Sequence, residues 1–94
     1  DRIQEYSNVL ALTAAPNPAS SAVNFNITLK ESANNVTINF TNALGQLVKS
    51  VNVGTLNANQ AYSTNVKVSD LASGLYIYTV NVNGQTYSNK LMIK

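Results

Sequence analysis

The 94-residue chain has no cysteine, no histidine and no tryptophan, and its acidic residues number only four. Lack of cysteine excludes a disulfide framework, a thiol nucleophile and a thiolate metal site, and leaves the redox compartment open. Without histidine, the side chain best suited to proton transfer near neutral pH is missing. The acids do not make up for it: Asp1 and Glu5 lie in the opening segment, and Glu31 and Asp70 are isolated in turn regions. A carboxylate pair of the glycosidase kind is therefore not expected. Nor is a calcium site, which needs several carboxylates close together; Asp70 reads as a turn or cap residue. No motif marks a Ser/Lys nucleophile pair. The sequence predicts no enzyme, no metal and no cofactor.

Charge of either sign is scarce. Only 11% of residues are charged, against about 25% in ordinary domains, and Asn, Ser and Thr take the solvent-facing positions, as is common in secreted or cell-surface β modules. The net charge is +2, with the basic residues dispersed at Arg2, Lys30, Lys49, Lys67, Lys90 and Lys94. No cluster among them suits a nucleic-acid backbone. Apolar runs such as "VLALTAA" are far too short for a transmembrane segment. The opening "DRIQEY" does not read as a signal peptide, so an exported parent would carry this chain as a later segment.

What is abundant is alternation with a period of two. "AVNFNITLK" sets Val23, Phe25, Ile27 and Leu29 against Asn24, Asn26, Thr28 and Lys30, the mark of a half-buried strand. "NVTINFT" repeats it with Val36, Ile38 and Phe40, and "YSTNVKV" with Tyr62, Thr64, Val66 and Val68. "LVKSVNV" is blurred, as at an edge strand or a bulge. "GLYIYTVNV" is apolar on both faces and reads as a central strand. Asn83-Gly84 is the strongest hairpin signal and predicts that residues 74 to 82 pair with 85 to 93. "NALGQ" joins two strands through Gly45. With an opening strand around "VLALTAAPNP", the sequence predicts an all-β, immunoglobulin-like antiparallel β-sandwich of about seven strands with Greek-key connections. The expected organisation is a leader over residues 1–9 and one domain over residues 10–94.

"DLASGLY" has the spacing of a tyrosine corner, in which a tyrosine near the start of a late strand bonds back to the backbone upstream; Tyr76 takes that role or is a plain core aromatic. Sequons at Asn26, Asn35 and Asn39 are frequent by chance in so Asn- and Thr-rich a chain, and two of them fall within strands. Tyr62, Tyr76, Tyr78 and Tyr87 would make a sugar-stacking platform if exposed, but their alternation points most of them inward.

Three segments, "AAPNPAS", "FTNALGQLVKS" and "LASGLYIYTVNVNGQTYSNKLMIK", together resemble the type A C-terminal sorting domain of the type IX secretion system of the Bacteroidetes. In that family a Pro-Asn-Pro motif lies at the first strand, matched by Pro16, Asn17 and Pro18. A turn glycine (Gly45), a leucine-glycine-tyrosine stretch (Gly74, Tyr76) and a lysine-bearing final strand follow in the same order. The resemblance covers residues 10 to 94. Many members have an acid where Asn42 stands and Arg or Lys where Gln46 stands; an Asx-turn forms with Asn or Asp alike.

The resemblance implies a non-catalytic secretion signal that directs its parent across the outer membrane, with Lys90, Leu91, Met92, Ile93 and Lys94 as the strand read by the translocon. An edge strand suits that role, because its unpaired backbone groups add to a receptor's sheet. Pro16, Asn17, Pro18, Gly45, Gly74, Tyr76, Asn83 and Gly84 are then structural. The implied partners are the translocon, a sortase-like cell-surface protease and an N-terminal cargo, with no nucleic acid. The implied route is periplasm, then cell surface or medium, with cleavage within "DRIQEYSNVL". The alternative is a fibronectin-like accessory or carbohydrate-binding module of a secreted enzyme.

Overall fold

Seven strands account for most of the residues described by the computed structural model, which are 9–15 and 19–94. The Pro16-Asn17-Pro18 motif and residues 1–8 of the expected leader lie outside the described residues. The strands are β1 (Val9–Ala15), β2 (Ala22–Leu29), β3 (Ala33–Thr41), β4 (Leu47–Leu56), β5 (Ala61–Lys67), β6 (Gly74–Val82) and β7 (Gln85–Ile93). They form an antiparallel three-stranded sheet, β1-β2-β5, and an antiparallel four-stranded sheet, β4-β3-β6-β7. The connections β2–β3, β4–β5 and β5–β6 pass between the sheets, which is the Greek-key crossing of an immunoglobulin-like sandwich.

The period-two pattern decides which face is buried. Val23, Phe25, Ile27 and Leu29 of β2 are at most 1% exposed, and Val36, Ile38 and Phe40 of β3 are fully buried. Each such side chain contributes about 1.5 to 3 kcal/mol by leaving water. Phe25 stands at the centre. Its ring meets Phe40 at 5.9 Å and Tyr78 at 5.0 Å between centroids, both edge-to-face, so one residue of the three-stranded sheet grips two strands of the other. Antibody domains join the second and sixth strands by a disulfide; here the Phe25–Tyr78 contact links those same strands without cysteine.

The tyrosine corner is present. The Tyr76 hydroxyl donates to the Ala72 carbonyl at 2.6 Å while its ring is buried, so Tyr76 is a core aromatic and a tether of the β5–β6 crossover together. β4 is an edge strand whose pairing with β3 shifts register in three places, which explains its blurred pattern. The β6 strand lies between β3 and β7, as its doubly apolar pattern predicts, yet only one of its faces is covered. Tyr76, Tyr78, Val80 and Val82 are in the core, whereas Leu75 and Ile77 are 41% and 39% exposed.

Candidate functional site

The final hairpin positions the predicted recognition strand. Asn83 and Gly84 have φ of 50° and 84°, the two positive values that a type I′ turn requires. Val82 consequently pairs with Gln85, and the register runs without slip to Gly74 opposite Ile93. Gly74, at φ 151°, opens β6 with a backbone that a Cβ would strain, although no neighbouring atom lies within 4 Å of that Cβ. Gly45, with φ 84°, sits in the β3–β4 turn, where its N–H donates to the Asn42 carbonyl at 2.9 Å.

That register splits "KLMIK" in two. Leu91 and Ile93 face the core, 0% and 2% exposed, while Met92 is 42% exposed and Lys90 and Lys94 are exposed. Two of the five predicted recognition residues are therefore core residues, and Lys90, Met92 and Lys94 are the ones a partner can reach.

The outer edge of β7 is also less open than the sequence implies. Ala19 forms a parallel bridge with Ile93: its N–H donates to the Met92 carbonyl and its carbonyl accepts from the Lys94 N–H, both at 2.8 Å. These bonds show that the backbone groups of Met92 and Lys94 point away from β6. By the antiparallel alternation those of Lys90, Ser88 and Thr86 do too. At Lys90 the N–H is taken by the Asn89 side-chain oxygen at 2.8 Å. The lysine-bearing end of the edge is thus closed by the chain itself, as natural sheet edges commonly are, and the expectation of simple strand addition there needs revision. Asn89 also hydrogen-bonds to Tyr78. Burial pushes the Tyr78 hydroxyl above its ordinary pKa, and the Asn89 bond opposes that shift.

On the outer face of the four-stranded sheet, Leu75 lies opposite Met92 and Ile77 opposite Lys90. Ile77 pairs on its other side with Thr41, and Thr41 with Leu47. The Thr41 hydroxyl donates to the Ile77 carbonyl at 3.3 Å, which occupies its polar atom within the sheet. The β3–β4 turn beside this face is built on Asn42. Its side-chain oxygen accepts from the Leu44 and Gln46 N–H groups at 3.0 Å, an Asx-turn, and its amide nitrogen donates to the Gln46 side-chain oxygen at 3.0 Å.

Elsewhere the surface offers little chemistry. No cluster of three or more metal-ligating side chains occurs among the described residues. A shallow, open depression lined by Asn34, Asn35, Thr37, Asn81, Asn83 and Gly84 has neither aromatic ring nor carboxylate, which suits neither sugar stacking nor tight cation binding. Tyr76 and Tyr78 are buried, and Tyr62 and Tyr87 pack against the core. The sequons at Asn26, Asn35 and Asn39 all fall within strands, Asn35 at positive φ. Asp70 pairs with Lys49 at 3.3 Å. No helix among the described residues is long and apolar enough to cross a membrane.

The family model described as "Secretion system C-terminal sorting domain" matches residues 13–94. The chain belongs to this family of type IX secretion sorting domains. Among solved structures, the sorting domain is similar to part of dimeric latent PorU from Porphyromonas gingivalis, at 19% identity and a TM-score of 0.72 over 87% of this chain. It spans only 9% of that protein's length, and the likeness is one of fold. No curated protein matches the chain. Membership implies interaction with the secretion system and transit to the outer membrane and the cell surface or extracellular space.

Sequence reasoning placed the sorting domain's turns and final strand but missed three features. The Ala19 bridge and the Asn89 cap carry no signal in a linear pattern. The outward pair Leu75 and Ile77 did carry one, in the second apolar face of "GLYIYTVNV".

Proposed function

We propose that the domain is a non-catalytic C-terminal address: the translocon reads the exposed positions of the last strand, Lys90, Met92 and Lys94, while Leu91 and Ile93 hold that strand in place. The observation that carries this is the alternation at the end of β7, which presents one basic-apolar-basic row, Lys90, Met92 and Lys94, outward while Leu91 and Ile93 are buried. The cargo precedes the domain and crosses the periplasm with it. A sortase-like surface protease then cuts within residues 1–10, in the expected leader or the start of β1. Gly45, Gly74, Tyr76, Asn83 and Gly84 serve the fold that displays the row, and Pro16, Asn17 and Pro18 are assigned the same structural role.

The test is a fusion of residues 1–94 behind a periplasmic reporter in a type IX-secreting bacterium and in a strain lacking the translocon. Expected is reporter at the surface or in the medium of the first strain alone, and impaired export of the folded Lys90→Ala, Lys94→Ala variant. Exposed lysines add little to stability and more to an encounter. Periplasmic retention in both strains, with saturable glycan binding by the purified domain, would overturn the reading in favour of an accessory module.

A further inference from the structure

We propose that the address is wider than the last strand: the apolar and basic half of the outer face of the four-stranded sheet, centred on Leu75, Ile77 and Met92, docks on a secretion-system protein whose matching surface is apolar and rimmed by carboxylates. The inference rests on the sorting function proposed above and names the surface and the partner chemistry.

The distribution of exposed apolar side chains is the first argument. Among the described residues, the large exposed ones are Leu44, Leu47, Val48, Leu75, Ile77 and Met92. All belong to the four-stranded sheet or to its β3–β4 turn; the side chains described in the three-stranded sheet, which in β1 are those of residues 11–15, contribute none. Exposed apolar residues scattered singly mean little, but a contiguous group with a polar surround marks an interaction site. Contiguity follows from the register. Leu75 lies beside Met92, and Leu47, Thr41, Ile77 and Lys90 are aligned across the four strands.

The second argument is the contrast within that same face. The next row, Ser50, Asn39, Thr79 and Ser88, is bonded to itself: the Ser50 hydroxyl donates to the Asn39 side-chain oxygen at 2.7 Å, and the Thr79 and Ser88 hydroxyls are 2.9 Å apart. The face is therefore divided into a polar half with internal partners and an apolar half carrying lysine.

Charge decides between occupants. Lys90 lies in the apolar half and Lys94 follows it, while the acids among the described residues, Glu31 and Asp70, stand in the β2–β3 and β5–β6 connections. Self-association about a two-fold axis would bring the same patch, and its lysines, against itself, where like charges are costly. A carboxylate-rimmed protein surface is the complementary choice. Because Ala19 occupies the β7 edge, contact is made by the face and not by strand addition. A contact confined to one half of one sheet face fits a transient encounter, which a translocon that releases its cargo requires.

The experiment uses the reporter fusion and the secreting strain. Leu75→Thr with Ile77→Thr keeps β-formers on the exposed face of β6, so its urea midpoint is expected to match wild type while export falls by about tenfold or more, the loss of a central contact. Asn52→Thr with Asn81→Thr, on the polar half, is expected to export normally. Lys90→Glu with Lys94→Glu is expected to export less than the corresponding alanine variant. Wild-type export by the Leu75, Ile77 variant overturns the surface yet leaves the sorting function standing; a parent fusion that is never exported removes that function itself. Two measurements on the purified domain test the partner's nature. Binding to phosphatidylglycerol vesicles that the Leu75, Ile77 variant loses would make the occupant a lipid surface. A sedimenting dimer that the variant loses would make it a second copy. Either result overturns the protein partner.

Discussion

On the outer face of the three-stranded sheet, Asn24 donates to Ser63 at 3.1 Å and Asn26 to Thr13 at 3.4 Å, and no large apolar side chain is exposed there among the described residues. On the outer face of the four-stranded sheet, Leu75, Ile77 and Met92 are about two-fifths exposed. Both faces come from alternating strands over one core, so burial requirements do not account for the difference. An outward amide ladder is inert toward other proteins because water and its neighbours already satisfy it; an outward apolar row retains a reason to be covered. The comparison supports the proposed docking surface on one side of a sandwich whose fold would tolerate polar residues on both.

The largest expected effect falls on what the two faces share. Phe25→Ala removes the ring that touches Phe40 and Tyr78 and should cost about 3 to 5 kcal/mol, much of a small domain's stability. Urea melts followed by amide exchange should show both sheets losing protection together. Retention of protection in β1, β2 and β5 alone would break the comparison, since the faces would then belong to separable units.

Next in size is Gly84→Val. A β-branched residue at φ 84° is strained by about 1 to 3 kcal/mol, and the strain sits in the turn that sets the β6–β7 register. Exchange should accelerate in residues 85 to 93 and not in the three-stranded sheet, which makes the variant a way to disturb one face only. Uniform acceleration would mean that the hairpin is no independent part of the structure.

Tyr76→Phe is milder. It keeps the buried ring and deletes the bond to the Ala72 carbonyl, a net loss of about 0.5 to 1.5 kcal/mol. Because that bond ties the β5–β6 crossover to the strand bearing Leu75 and Ile77, a drop in the urea midpoint with export retained is expected. An unchanged midpoint would reduce Tyr76 to a core aromatic.

These variants probe parts that differ in how far the sequence reveals them. The strands of the core are legible because period-two alternation and burial are the same fact: Val23, Phe25, Ile27 and Leu29 point inward for the reason that they alternate. The hairpin register is legible because positive φ at two successive positions selects Asn-Gly. The bridge from Ala19 to β7 is not, since its bonds are between backbone groups that every residue type offers. Two of the five residues of "KLMIK" are core for a reason visible in the sequence, the alternation of Leu91 and Ile93. Motif likeness draws all five residues into one signal, whereas the pleat divides them between two faces.

The smallest effect concerns acid. Asp70 is held below its ordinary pKa of 3.8, first by a backbone hydrogen bond at Asp70 itself and then by the Lys49 ammonium. A carboxylate with a depressed folded pKa adds stability above its unfolded pKa, near 3.9, and that contribution is lost as pH falls through the folded value. Asp70 is exposed, so solvent screens the Lys49 pair and its share is small. Sharpening the comparison depends on this smallness. Lys49 lies on the edge strand of the apolar and basic sheet, and Asp70 in the connection from the polar one, so the pair spans the two sides without being needed to join them. The urea midpoint of the parent should decline slightly between pH 5 and pH 3, and that of Asp70→Asn should be lower than the parent at pH 5 and converge with it at acid pH. With only four acidic residues in the chain, little else titrates there, and the sandwich should remain folded at pH 3. Acid unfolding of the parent, with Asp70→Asn already unfolded at pH 5, would show instead that the ion pair, and not the Phe25 contact, holds the two sheets together.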